Sequence, residues 1–249
     1  MKYKWLFYFL LIQLIVSCGS YRYSIVDMKG SLIEMNQEQG IHTEMQALVD
    51  KYKVSLDSKM NVVMGNSTEF MPYKRPESLL TNLTSDVMRE YGNKHIPKGA
   101  DIGIMNVNGH RASMPKGKIT MGNLFEIYSF DNTIAFLELK GEDLSKIFDA
   151  YARKGGAGIS SNAHLVVKDR KIVTATLDGK PIDKNKIYSV VTLDYLADGN
   201  DGMAAFKNAI ETHDTGITLR DIMIEYVSGQ TAQGKDISSV EDGRITIEQ

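Results

Sequence analysis

Between residues 41 and 56, Ile41, Met45, Leu48, Val49 and Tyr52 recur at three- and four-residue steps, the interval that lines one side of an α-helix. Over 77–91 the same interval turns Leu79, Leu80, Leu83, Val87 and Tyr91 inward, and after Gly141 it does so for Leu144, Ile147, Phe148 and Tyr151. Thr120 predicts the N-cap of a short helix ending at Ile127. Thr218 predicts that of a last helix, with Leu219, Ile222, Met223, Tyr226 and Val227 toward the core. A further helix is expected from about Ala204. Short apolar runs bounded by turn residues predict strands at 23–28, 60–64, 101–105, 133–139, 188–193 and 244–247. Residues 164–168 and 171–177 predict a hairpin turning on Asp169-Arg170. Helices and strands mix without strict βαβ alternation. The expected class is therefore α+β, layered mixed sheets with flanking helices.

The beginning of the chain follows a different pattern. Lys2 and Lys4 precede an apolar run from Trp5 to Val16, broken only by Gln13. About a dozen residues fall short of the roughly 20 that span a bilayer, and read instead as a secretory h-region. The run ends in Ile15-Val16-Ser17-Cys18-Gly19, which resembles a lipobox, and Cys18 is the single cysteine of the chain. The expectation is a signal peptide over 1–17, acylation of Cys18, and one domain over 18–249 held at a membrane surface from the extracytoplasmic side. A lone cysteine excludes an internal disulfide and a cysteine-rich metal site.

Composition narrows the ligand classes. With 29 basic and 31 acidic residues the formal charge is −2, which offers no broad basic face for a long nucleic acid. His42, His95, His110, His164 and His213 are scattered, without His-Glu-x-x-His or Asp-x-His spacing. No Gly-x-Ser-x-Gly elbow or Walker loop is present. The sequence carries no self-sufficient catalytic signature, so no catalytic or metal-ligating residue is expected in this chain.

Loops that follow strands carry polar and aromatic residues among glycines instead. They include Asn106-Val107-Asn108-Gly109-His110-Arg111, Ser129-Phe130-Asp131-Asn132 and Tyr195 shortly before Gly199-Asn200-Asp201-Gly202. In this order they resemble the C-terminal, nucleotide-recognition domain of the 5'-nucleotidase and UDP-sugar hydrolase family. That family carries Asn-Gly-Gly-Gly-Ile-Arg, Pro-Phe-Gly-Asn, and an aromatic residue before Gly-Gly-Asp-Gly. The resemblance runs from about Tyr23 to the C-terminus. It implies that Phe130 and Tyr195 sandwich a base, that Asp201 accepts hydrogen bonds from ribose hydroxyls, and that Asn106 reads the base edge or supports its loop. It also implies that Arg111 faces phosphate, and Arg75, two residues before Glu77, stands close to where some relatives place a second phosphate-contacting arginine. Three departures bear on the pocket: Val107-Asn108 stand for two glycines, Ser129 and Asp131 flank Phe130 in place of Pro and Gly, and Asn200 replaces a glycine. Positive φ at position 107 would be incompatible with valine.

The family's metallophosphoesterase half, with its divalent metals and Gly-Asn-His-Asp/Glu motifs, has no counterpart in the sequence. The leading expectation is a nucleotide- or nucleoside-recognition subunit of a split 5'-nucleotidase, inactive alone. It would pair with a separate metallophosphoesterase chain that holds the metals, no cofactor being expected in this chain. The alternatives are a stand-alone nucleoside-binding lipoprotein and a self-sufficient phosphohydrolase.

Overall fold

Strands β4 (Thr133–Lys140) and β9 (Ile187–Leu193) run antiparallel in unbroken register, from Ile134 opposite Leu193 to Lys140 opposite Ile187. On its other side β9 pairs parallel with β2 (Ile102–Met105), which pairs antiparallel with the short β5 (Gly158–Ile159). Strand β10 (Glu211–Thr218) lies antiparallel on β4 and completes a five-stranded sheet ordered β10-β4-β9-β2-β5. A second sheet is ordered β11-β6-β7-β8: β6 (Ala163–Lys168) and β7 (Lys171–Leu177) form the expected hairpin, β8 (Lys180–Pro181) extends it, and β11 (Ile245–Glu248) runs parallel to β6. Asp169 and Arg170 have φ of 50° and 60°, the doubly left-handed turn that matches strand twist in a two-residue hairpin. A third sheet pairs β1 (Val63–Ser67) with β3 (Gly117–Thr120). The class is α+β, as the sequence predicts.

The computed structural model describes residues 23–32, 40 and 42–248, so Ile41 and Cys18 lie outside the described residues. Contacts divide the chain into two units, Met1–Ala47 and Leu48–Gln249. In the first, residues 23–32 carry no helix or strand and are exposed, which corrects the strand expected at 23–28. Tyr23, Ile25 and Val26 are exposed and lie on no sheet edge among the described residues, where backbone groups are left to water. Among the described residues no helix is long and apolar enough to cross a membrane.

Helix α1 (Thr43–Met60) forms where periodicity predicts one, but it buries none of its residues. Met45, Leu48, Val49 and Tyr52 are 48–61% exposed, so the stripe expected to face a core faces solvent. The helix continues to Met60 and displaces the strand expected at 60–64, which appears at β1 instead.

Helix α2 (Leu79–His95) opens on a capping box, Ser78 accepting from the Thr81 amide and Thr81 from that of Ser78. Its Leu80, Leu83 and Val87 are buried, and Leu79 and Tyr91 are partly buried against the same core. It packs closely on β2: a Cβ at Gly103 would stand 2.3 Å from the Ser85 carbonyl oxygen, a gap only glycine permits. Helix α3 (Met121–Ile127) and helix α6 (Leu219–Ala232) start at capping boxes on Thr120 and Thr218, as expected. Helix α4 (Gly141–Lys154) buries Leu144, Ile147, Phe148 and Tyr151. The helix expected from Ala204 is a 3-10 segment, Ala204–Asn208, and a short helix α5 (Asp194–Ala197) precedes it.

This topology gathers loops. Because β2 and β9 are parallel and β4 and β10 alternate in direction, the C-terminal ends of β2, β9 and β10 share one sheet end with the N-terminal end of β4. The segments 106–111, 128–132 and 194–203, and the start of α6, all emerge there.

Candidate ligand-binding site

Asn106, Asn108, Gly109, Arg111, Phe130, Asn132, Tyr195 and Asp201 line one hollow of about 320 Å³ at that sheet end. Five of the six expected binding residues are in this lining. The sixth, Arg75, is outside it; its side chain lies beside Gly155, at the end of α4.

Loop 106–111 follows β2 as a single 3-10 turn, Val107–Gly109. Neither Val107 nor Asn108 has positive φ, so the backbone conflict expected from replacing two glycines does not arise. Val107 turns into the core, whereas Asn108 is exposed at the pocket. The Asn106 amide donates to Asp201 Oδ2 at 2.7 Å, joining positions 95 residues apart. Asp201 has φ of 54° and accepts a longer contact from the Tyr195 hydroxyl at 3.4 Å. Asn200, the other departure in this loop, donates its side-chain amide to the Tyr195 carbonyl at 2.9 Å.

The two aromatic residues are held by a shared carboxylate. Asp194 Oδ1 accepts from the Asn132 side chain at 2.9 Å and from the Tyr195 amide at 2.6 Å, so the loop carrying Phe130 is tied directly to the helix carrying Tyr195. Phe130 and Tyr195 are 47% and 39% exposed, and no ring contact joins them among the described residues. They are two solvent-facing rings on braced loops, with the Arg111 guanidinium 5.5 Å from the Phe130 centroid.

Three supporting residues escaped sequence reasoning: Asp194, Arg220 and His110. Arg220, at the start of α6, donates to the Tyr128 carbonyl at 2.9 Å, pairs with Asp131, and lies 4.4 Å from the Phe125 centroid. Asp131 replaces the glycine of the related motif, and its pairing with Arg220 gives that departure a structural use. The signal was the unusual acid beside Phe130, but its partner is 89 residues away.

His110 is the buried link. Its Nδ1 lies 3.2 Å from the Val107 carbonyl, which sets Nδ1 as the donor, and Nε2 faces the Thr84 hydroxyl at 2.9 Å. Thr84 also contacts the Tyr128 hydroxyl at 2.8 Å. One histidine thus joins α2 to both the 106–111 loop and the segment leading to Phe130.

Burial lowers the His110 pKa to about 4. In the unfolded chain it protonates near 6.5, so the unfolded state gains a proton first as pH falls. The stabilisation by neutral His110 is complete above pH 6.5 and is lost as pH falls toward 4, amounting to about 3 kcal/mol in all. Urea midpoints between pH 7 and 5 should fall by the equivalent of about 2 kcal/mol more in the parent protein than in His110→Gln. Parallel pH profiles for the two proteins would overturn this account.

Among the described residues no three His, Cys, Asp or Glu side chains gather as a metal cage. The site can stack, accept and donate hydrogen bonds, and neutralise an anion. Two open rings, a carboxylate and a guanidinium thus stand on loops around one cleft at a single sheet end. Residues 63–208 match the family described as "5'-nucleotidase, C-terminal domain", more than half of the chain, and the chain belongs to that family.

It is 29% identical over 133 residues to protein UshA of Yersinia enterocolitica, a match covering 52% of this chain and 24% of that protein. It is 23% identical over 254 residues to the 5'-nucleotidase of Homo sapiens, covering 90% of this chain and 44% of the human one. The crystal structure of a 5'-nucleotidase precursor from Thermus thermophilus superimposes with a TM-score of 0.71 at 24% identity, over 82% of this chain and 43% of that one. The last likeness is one of fold. In each case the chain spans less than half the length of its relative.

Proposed function

We propose that this chain is the nucleotide- or nucleoside-recognition subunit of a split extracytoplasmic 5'-nucleotidase. The observation that carries the reading is the common lining of Phe130, Tyr195, Asp201, Asn106 and Arg111 around one open hollow, in a chain of this family. A base fits between the rings by stacking, which every nucleobase face supports. Asp201 retains acceptor capacity beyond Asn106 and Tyr195 for a pair of ribose hydroxyls. Arg111 presents a guanidinium fork to a 5'-phosphate.

Hydrolysis then requires donors that the described residues lack, and the proposal assigns the divalent metals and the reacting water to a separate metallophosphoesterase chain. The exposed side of α1, with Leu48, Val49, Tyr52 and Leu56, offers that chain an apolar face. Acylation of Cys18 would hold this chain at a membrane, and a partner tethered to the same membrane would meet it at raised effective concentration. Calorimetry with adenosine, AMP and UDP-glucose tests the pocket, with at least one expected to bind below millimolar concentration. Silence toward all three would remove the ligand assignment. Phosphate release from AMP that appears only on adding the partner chain tests the division of labour, while metal-dependent release by this chain alone would defeat it.

A further inference from the structure

The start of α6 grips the loop that carries Phe130 at three points. The Leu219 amide donates to the Asn132 carbonyl at 3.0 Å. Arg220 donates through Nη1 to the Tyr128 carbonyl at 2.9 Å and through Nη2 to the Asp131 carboxylate. Residues 128, 131 and 132 are thus held, on both sides of position 130, from one helical turn. That turn is itself fixed to the sheet, because its N-cap Thr218 lies opposite Thr133 in the register of β10 on β4. Asn132 passes the connection on to Asp194, and so to Tyr195.

The setting of Arg220 ties it to this loop rather than to its own helix. Arg220 is the second residue of α6, where a cation opposes the helix dipole. Its side chain is 14% exposed, and its guanidinium lies 4.4 Å from the Phe125 centroid. Both ends of one rigid fork serve acceptors on the same stretch of chain, which a lysine, as a single point charge, would not reproduce. The Phe130 ring, by contrast, faces solvent, and the Arg111 guanidinium stands no nearer than 5.5 Å from its centroid. Its place is set mainly by the backbone on either side.

We infer that Arg220 is a positioning residue of the base site: by holding Tyr128 and Asp131 it keeps the Phe130 ring at its stacking position before a ligand arrives. The inference rests on the pocket reading above. It brings α6, which lies beyond the matched residues 63–208, into the service of the site, and it gives Asp131 a part in binding. A ring already in place spares the ligand the cost of ordering it.

Calorimetry with adenosine and uridine compares the full chain with Arg220→Gln, Phe130→Ala and the double variant. Arg220→Gln should weaken binding about three- to tenfold, part of the loss caused by removing the ring. In the Phe130→Ala background the same change should cost less than about twofold, since no ring is left to position. An arginine that only stabilised the fold would cost the same in both backgrounds. Asp131→Asn keeps the Tyr128 contact and should show a smaller loss with the same dependence on Phe130, and it carries the test if Arg220→Gln does not fold. The ring is read directly in ligand-free protein labelled with 4-fluorophenylalanine, the Phe130 resonance being the one absent from Phe130→Ala. In Arg220→Gln that resonance should shift or broaden while those of the buried Phe148 and Phe206 stay in place. Additive losses in the double variant, or an unmoved Phe130 resonance, would overturn the assignment of Arg220. If neither nucleoside binds the parent protein, the base pocket falls, and the fluorine resonance still decides whether Arg220 holds the ring.

Discussion

Replacing Phe130 or Tyr195 by alanine should weaken nucleoside binding by about 1–3 kcal/mol each, roughly 5- to 150-fold, without unfolding the domain. The size follows from stacking, and the selectivity for binding over stability from exposure. Both rings already face solvent, so truncation opens no buried cavity. Calorimetry gives the affinities and thermal melting the control. The double variant should lose more than either single one, since a base held by one remaining ring keeps part of its contact. If Phe130→Ala binds as tightly as the parent protein, the two rings are not a base clamp, and the hollow would need another ligand class.

The second large effect is on stability. Arg244 is among the largest fully buried side chains of the described residues, and its guanidinium holds distant parts of the domain together. It pairs with Asp86 on α2 at 2.7 Å and with Asp242 at 2.8 Å, and donates to the carbonyls of Ile159 at 2.9 Å and Asn82 at 3.3 Å. The adjacent strand β11 joins the second sheet at Ile245 opposite Leu165. Arg244→Met removes the positive charge and leaves two carboxylates and two carbonyls short of donors. The two carboxylates left behind are 36% and 33% exposed, so water takes up part of the loss and the cost is about 1–3 kcal/mol, still a sizeable part of the 5–15 kcal/mol that holds a typical domain together. Urea unfolding should show a midpoint lowered accordingly. An unmoved midpoint would mean that water satisfies those acceptors as well as Arg244 does.

Much of this was legible in the chain because it is local. The Thr120 and Thr218 caps depend on residues three positions away, and the Asp169-Arg170 turn on its own two torsions. The loops that meet at the candidate site could be singled out because their composition is odd for their place: Phe130 and Tyr195 stand among Asp, Asn and Ser rather than on an apolar stripe. What was missed is non-local or undistinguished in pattern. Strand β10 reads Glu-Thr-His-Asp-Thr-Gly-Ile-Thr and is mostly exposed, an edge strand carrying charge where an inner strand would alternate. Arg244 reads in sequence only as the first residue of the strand at 244–247, and nothing nearby announces its pairing with Asp86, 158 positions earlier. Helix α1 shows the converse error, a periodic stripe that identifies a helix correctly while saying nothing about whether a neighbour covers it.

The bridge between Asn106 and Asp201 has a practical consequence. Since the two walls of the hollow come from chain segments separated by most of the core, a ligand gripping both reports on the assembled domain and has no affinity for either fragment. Ligand at a hundredfold excess over its Kd should then add about 2.7 kcal/mol to unfolding. A melting-point screen would find the natural ligand without any knowledge of the reaction it feeds.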